Sequence, residues 1–169
     1  LMLASTVAAY AQYQMNVFSI DLITAYQISA SRFAFLFTAP MLPAIFLSIP
    51  LGKLSDKIGY RNAIQLGLAF TILGLTGRIF AESYSTLWIC MAFSGASSIT
   101  LFVNSARVLE EVVPAEKSVL FMGIYTTASM LAQTFATATS AVLYSTLQKA
   151  YVGALVYAVV ITVIWAGNY

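Results

Sequence analysis

Histidine is absent from this 169-residue sequence, and cysteine occurs once, at Cys90. Without histidine the chain lacks the commonest metal ligand and a frequent general base. A single cysteine can form neither a disulfide within the chain nor a cysteine-based metal cluster. The sequence therefore predicts no metal site and no cofactor, and Cys90, inside an apolar run, is expected to be a small buried side chain.

Charged residues are also scarce. They make up 8% of the chain, against about 25% in soluble domains, while 60% of the residues are hydrophobic. The formal net charge of +2 is too small to indicate a nucleic acid partner. Such a composition cannot cover a surface in water, but a helix in lipid needs no polar cover. We therefore expect a membrane protein whose main partner is the lipid bilayer.

Six stretches are long and apolar enough to cross a bilayer, which takes about 20 residues of helix. Short connections join them, and short loops favour antiparallel neighbours. The sequence thus predicts an all-α, polytopic membrane protein in which residues 1–169 form one bundle of six transmembrane helices. The first span is the least regular, because polar residues between Tyr10 and Asp21 interrupt it. The expected spans are 2–24, 33–51, 63–81, 86–105, 118–143 and 150–167.

Basic residues in the connections indicate how the helices are oriented. The connections between spans two and three and between spans four and five hold five of the eight basic residues. Because short cytoplasmic loops carry the excess of Lys and Arg, we place these two loops on the cytoplasmic side. We expect a multi-pass protein of the cell membrane, either a plasma membrane or an inner membrane. The five are Lys53, Lys57, Arg61, Arg107 and Lys117, whereas Arg32, Arg78 and Lys149 fall on the other face.

The segment PLGKLSDKIGYRN, residues 50–62, follows the second span and contains four charges within nine positions. Its pattern, Gly52-x-x-x-Asp56-Lys57-x-Gly59-x-Arg61, resembles the signature of the major facilitator superfamily, which occupies the same loop. A weaker likeness is EEVVPAEKS at 110–118, where the family often has an acidic residue, a proline and then a basic residue. The resemblance covers the whole chain.

This resemblance implies the amino-terminal six-helix half of a twelve-helix transporter that moves a small-molecule solute. The chain starts at Leu1 and stops at Tyr169, just beyond the sixth span, so we expect both ends to be cut from a longer polypeptide. The expected partner is then the missing carboxy-terminal half, or a second copy if the chain is complete.

The motif residues have physical roles that agree with the resemblance. Gly52 would let another helix approach closely, and Gly59 permits a tight turn with positive φ. In the family, the matching aspartate contacts the opposite half and latches the cytoplasmic side shut. The resemblance therefore implies that Asp56 is the latch residue of this chain. The latch residues are Gly52, Asp56, Lys57, Gly59, Arg61 and Arg107, with Arg61 or Arg107 as the partner of Asp56; the alternative is a solvated loop.

At three points the sequence departs from the family's patterns, which limits how many of the family's properties the resemblance implies for this chain. The last motif position is Asn62 instead of a basic residue. In the fourth span, Met91 stands four residues before Gly95, where many proton-coupled members have arginine. The fifth span lacks the glycine-proline signature of drug antiporters. Proton-coupled drug export therefore loses support.

Polar residues inside the spans are the candidates for solute contact. Gln12, Asn16 and Ser19 recur at helical spacing, so we expect them on one face, bordered by Tyr13. Family members line their cavity with the first and fourth helices of each half, which adds Ser94 and Ser98. The alternative for these polar residues is hydrogen bonding and close packing between helices without any ligand.

Ionisable groups near the outer face give two further predictions. Asp21 is either a protonatable ion-coupling group or the structural partner of Arg32 at the head of the next helix. Arg78 and Glu82 are four residues apart and are expected to pair on one helix face, near the outer end of the third span, as an anchor at the membrane interface. No arginine or lysine is then expected near the midplane of the membrane, where it could bind a highly charged anion. This favours neutral, zwitterionic or modestly charged solutes.

These observations favour a secondary active transporter that works by alternating access. An integral membrane enzyme is disfavoured, because the sequence contains no metal-ligand cluster and no histidine-based catalytic dyad. The remaining alternative is a receptor or scaffold that has a transporter fold but transports nothing.

Overall fold

The computed structural model describes residues 2–143 and 145–167. Leu1, Tyr144, Asn168 and Tyr169, which belong to the predicted unit 1–169, lie outside the described residues. The described chain forms helices and short turns, without strands. Its elements are α1 (Met2–Tyr13), a 3-10 helix (Gln14–Asn16), α2 (Ser19–Ala25), α3 (Ala30–Leu36), α4 (Met41–Ile79), α5 (Tyr84–Val112), α6 (Ala115–Leu143) and α7 (Leu147–Gly167).

Four stretches of the described chain are long and apolar enough to span a membrane: Ala30–Ile79, Tyr84–Val112, Ala115–Leu143 and Gln148–Gly167. The first contains 50 residues. As one straight helix it would measure about 75 Å, more than twice the roughly 30 Å of a bilayer core. A break at Gly59 divides it into two spans. With the amino-terminal helices α1 and α2 as the remaining span, the predicted helical membrane bundle is confirmed.

The first predicted span, 2–24, is wrong as a continuous helix. α1 stops at Tyr13, a 3-10 turn follows, and Phe18 has the non-helical angles φ −101° and ψ 26° before α2 begins. α1 alone would reach about 18 Å, too short to cross a bilayer core. The amino-terminal crossing is therefore built from two short helices joined by an irregular segment.

The second and third predicted spans are the two parts of α4, together with the short α3. Gly59 has φ 79° and ψ 154°, which turns the chain back between residues 41–58 and residues 60–79. These angles fall in a region that is essentially restricted to glycine. The positive φ expected from the sequence is thus present, and residues on both sides of Gly59 contact α5.

The second span also begins with a break. α3 ends at Leu36, and Pro40 occupies the position just before the first residue of α4. Proline disfavours helical angles in the residue before it, here Ala39, so a helix end at this point is expected. Gly95 of α5 lies against the backbone of Pro40, so that a side chain at Gly95 would collide with it.

α4 packs most extensively against α5, through small and polar side chains. The Thr71 and Ser97 hydroxyl groups are 2.6 Å apart, and Asn104 Nδ2 donates to Ser55 Oγ over 3.0 Å. Small side chains allow such close approach in lipid, and hydrogen bonds between helices stabilise the contact. The serines and asparagine of the fourth span thus include several packing residues.

α1 lies inside the bundle, and the outer helices expose apolar surface. Its residues Val7 and Ala11 are buried in a core shared with α4, α5, α6 and α7. Large apolar side chains are exposed on the outer faces, as expected for contact with lipid or with another membrane helix. Among the most exposed are Ile20, Phe46, Ile49, Val112, Val119, Phe135 and Val142.

Candidate transport site

A cavity of about 320 Å³, here called the first cavity, lies between α1, α5 and α6. Three of the predicted solute contacts meet there: Gln12 and Tyr13 from α1, and Ser98 from α5. The described lining side chains are all uncharged. Amide and hydroxyl groups can both donate and accept hydrogen bonds, so this cavity suits a polar solute without net charge.

α6 supplies a side of the first cavity that the sequence analysis missed. Tyr125, Ser129 and Gln133 line it together, and Ser129 Oγ donates to Ser5 Oγ of α1 over 3.3 Å. The three residues are spaced by four, which places them on one helix face. That periodicity is visible in the sequence and could have identified the stripe.

Asn16 and Ser19 do not line this cavity with Gln12, and the predicted common face is wrong for them. The prediction assumed one regular helix through Ser19. The helix ends at Tyr13, and Phe18 leaves helical angles, so the rotation of 100° per residue is lost between Gln12 and Ser19. Asn16 is instead exposed, within the 3-10 turn.

Ser94 also lies away from the first cavity, because it is buried beside Arg78. Arg78 is 1% exposed, and its Nη2 donates to Ser94 Oγ over 2.5 Å. Its Nη1 donates to the main-chain oxygen of Ala11 over 2.5 Å. Ser94 therefore joins α5 to α4, and the expectation that its hydroxyl faces solute has no support in this geometry.

The predicted pair of Arg78 and Glu82 on one helix face is wrong. α4 ends at Ile79, so Glu82 is not four residues further along the same helix, and its side chain is exposed. Arg78 instead points inward to α1 and α5. A charged side chain therefore does lie inside the helical bundle, contrary to the expectation from sequence.

The motif residues lie where α4 turns. Asp56 Oδ1 is 2.6 Å from Arg107 Nη1 of α5, and the two side chains are 60% and 37% exposed. The Arg61 guanidinium lies 5.8 Å from the centroid of the Tyr60 ring. Lys57 is exposed on the same part of the chain. Arg107, one of the two cations considered as partners of Asp56, forms an ion pair with it.

Gly52 is not at a close helix contact within the described chain. A Cβ atom there would meet nothing within 4 Å, and the same is true at Gly59. The predicted close approach at Gly52 is therefore not made within the part of the chain that the structure describes. Close contacts of a glycine with another backbone occur instead at Gly95, against Pro40, and at Gly74, against the main-chain oxygen of Cys90.

Asp21 and Arg32 do not form an ion pair in the part of the chain that the structure describes. The Arg32 guanidinium lies 5.9 Å from the centroid of the Tyr84 ring, and the Tyr84 hydroxyl donates to the Arg32 main-chain oxygen over 3.1 Å. Asp21 is exposed and lines a second cavity of about 430 Å³. Arg78 and Glu82 line the same cavity.

Comparison with known proteins gives one result for the whole chain. A family model described as "Major Facilitator Superfamily" matches residues 1–167. No curated protein matches the sequence.

Proposed function

We propose that this chain, which belongs to the major facilitator superfamily of membrane transporters, moves a small solute by alternating access as a secondary active transporter. The observation that carries the proposal is the first cavity, which lies between membrane helices and is lined by uncharged polar groups. Alternating access requires a site between helices that can be exposed to either side in turn.

The solute would bind through the amides of Gln12 and Gln133 and the hydroxyl of Ser98, all of which line the first cavity. Each amide can donate and accept, which suits a neutral solute with several hydroxyl, amide or ring nitrogen groups. Tyr13 adds an aromatic face with a polar end. The uncharged lining supports neutral over strongly charged solutes.

We further propose that the Asp56 end is cytoplasmic and that the Asp56–Arg107 pair belongs to a latch. Lys53, Lys57, Arg61, Arg107 and Lys117 near this end support the orientation. The open space at Gly52 supports contact with another six-helix unit, either a carboxy-terminal half or a second copy. That unit would complete the enclosure of the solute path.

Ion coupling is proposed for Asp21. Its carboxylate is exposed towards the second cavity, where a proton or a sodium ion could reach it. In the full-length protein, Asp21→Asn should reduce uptake and flatten its pH dependence or sodium dependence. Uptake with unchanged rate and unchanged ion dependence would remove Asp21 from the coupling mechanism. Arg32→Gln is the matched control, because Arg32 contacts Tyr84 and does not line this cavity.

Solute flux tests the transport function itself. The full-length protein in proteoliposomes would be assayed with radiolabelled sugars, nucleobases and amino acids. We expect uptake of at least one neutral polar solute, reduced about tenfold by Gln133→Ala, as for the loss of about 1.4 kcal/mol of binding. Gln65→Ala, an exposed amide on α4, is the control and should leave uptake unchanged. Binding without flux would support a receptor or scaffold instead.

A further inference from the structure

The second cavity differs from the first in its charges. It lies at the end of the bundle opposite Asp56, between the ends of α2 and α4 and the beginning of α7. Arg78 and Tyr151 line it as buried residues, and the acidic side chains of Asp21 and Glu82 line it as exposed ones. Charges of both signs therefore surround one space of about 430 Å³.

Arg78 is buried without a carboxylate partner within 4.0 Å in the described part of the chain. Its two Nη atoms donate to a main-chain oxygen and to a hydroxyl, which are neutral acceptors, and its Nε has no hydrogen-bond partner. A buried cation is costly unless an anion compensates its charge. The guanidinium is thus suited to a ligand that brings a negative group into the cavity.

Tyr151 supplies a second donor to the same space. Its side chain is 2% exposed, and its hydroxyl has no hydrogen-bond partner. A buried hydroxyl without a partner is unfavourable, so a ligand acceptor at this position would gain a bond that the protein alone does not make. A guanidinium N–H and a phenol O–H together form a suitable set of donors for a carboxylate.

The two acidic side chains restrict which anions fit. Asp21 and Glu82 would repel a ligand with several negative charges, since like charges around a small site oppose each other. They would attract an ammonium group carried by the same ligand. A molecule with one carboxylate and one ammonium group therefore matches both parts of the lining.

We propose that the second cavity binds a small zwitterion of the amino-acid type, with its carboxylate at Arg78 and Tyr151 and its ammonium group towards Asp21 and Glu82. The proposal rests on the lining of this cavity and not on the transport function. Binding at equilibrium would be measurable even in a protein that carried no solute.

Calorimetric titration of the purified full-length protein tests the proposal with three probes. L-alanine carries both charged groups, propionate only the carboxylate, and ethylammonium only the cation. We expect L-alanine to bind at least tenfold more tightly than either of the other two, because each of them lacks one charge-assisted contact. No measurable binding of L-alanine, or equal binding of propionate, would overturn the proposal.

Two sets of variants locate the site. Tyr151→Phe removes only the hydroxyl and should weaken L-alanine binding about tenfold or more, as for a lost hydrogen bond to a charged group. Tyr84→Phe, outside this cavity, is the control and should bind as the native protein does. Equal affinities of these two variants would contradict the assignment.

Asp21→Asn and Glu82→Gln test the ammonium contact. We expect at least one of them to weaken L-alanine binding while leaving propionate binding unchanged or stronger. If Asp21→Asn instead strengthened binding of both probes, Asp21 would be acting as the counter-ion of Arg78, and the zwitterion assignment would be wrong.

Discussion

Arg78 Nη1 donates a hydrogen bond of 2.5 Å to the main-chain oxygen of Ala11, which is 67 residues earlier in the chain. α1 ends at Tyr13, so the oxygen of Ala11 is among the last carbonyl groups of that helix, which lack regular partners within it. A cation at a helix carboxyl end also interacts favourably with the helix dipole. Arg78 therefore stabilises the carboxyl end of α1, where the helix stops at Tyr13.

Arg78→Lys should destabilise the protein although it keeps the charge. One ammonium group cannot readily reproduce the planar arrangement that bonds to Ala11 and Ser94 on two different helices. We expect a loss of about 1–3 kcal/mol, measured by thermal unfolding in detergent. Arg32→Lys, at an exposed position, is the control; equal stability of the two variants would count against this role of Arg78.

Gly95→Ala should disturb the contact between α5 and the start of α4. The added methyl group would overlap backbone atoms of Pro40, which cannot rotate away as a side chain can. The expected cost is about 1–3 kcal/mol. Gly123→Ala in α6 is the matched control: its Cβ would meet nothing within 4 Å, so stability should stay equal or rise by about 0.5–1 kcal/mol. The same unfolding curve for both variants would refute the close contact.

Gly59→Ala and Gly52→Ala should differ although both positions are spatially open. Gly59 has φ 79° and ψ 154°, which a residue with a Cβ adopts at a cost of about 1–3 kcal/mol. A Cβ atom at Gly52 would meet nothing within 4 Å, and Gly52 lies within α4, so its replacement should not destabilise the protein. Comparing the unfolding temperatures of the two variants checks this. Equal losses would mean that the turn at Gly59 does not depend on its backbone angles.

The sequence was sufficient for the later helices and for the turn at Gly59, but insufficient for the irregular first span and for the long-range contacts. Apolar length identified the later helices, and the motif located the turn at Gly59. The prediction of a span over residues 2–24 missed the end of α1 at Tyr13, because it treated the whole segment as one regular helix. The position of Arg78 was missed because its acceptors are on other helices, where no local spacing reveals them. In contrast, Tyr125, Ser129 and Gln133 recur every four residues, a helical spacing that is visible in the sequence.

The Asp56–Arg107 pair should affect conformation more than stability. Both side chains are substantially exposed, and exposed ion pairs contribute about 0–1 kcal/mol. Asp56→Arg should therefore leave the unfolding temperature nearly unchanged but increase access to the first cavity from the Asp56 side. Asp56→Arg combined with Arg107→Asp should restore the native access. Glu111→Gln, an exposed acid on the same end of α5, is the control, and if it changed access as much as Asp56→Arg, the pair would have no specific role.

Alternating access is tested most directly by thiol labelling of the Ser98→Cys variant. The full-length protein, with Cys90→Ala and any other cysteines replaced, would react with a membrane-impermeant reagent added from one side at a time. Ser83→Cys and Ser118→Cys, near opposite ends of the bundle, report the two sides separately. We expect the Ser98→Cys variant to label from both sides and each control from one side only. Labelling of the Ser98→Cys variant from a single side under every condition, with or without transported solute, would contradict alternating access.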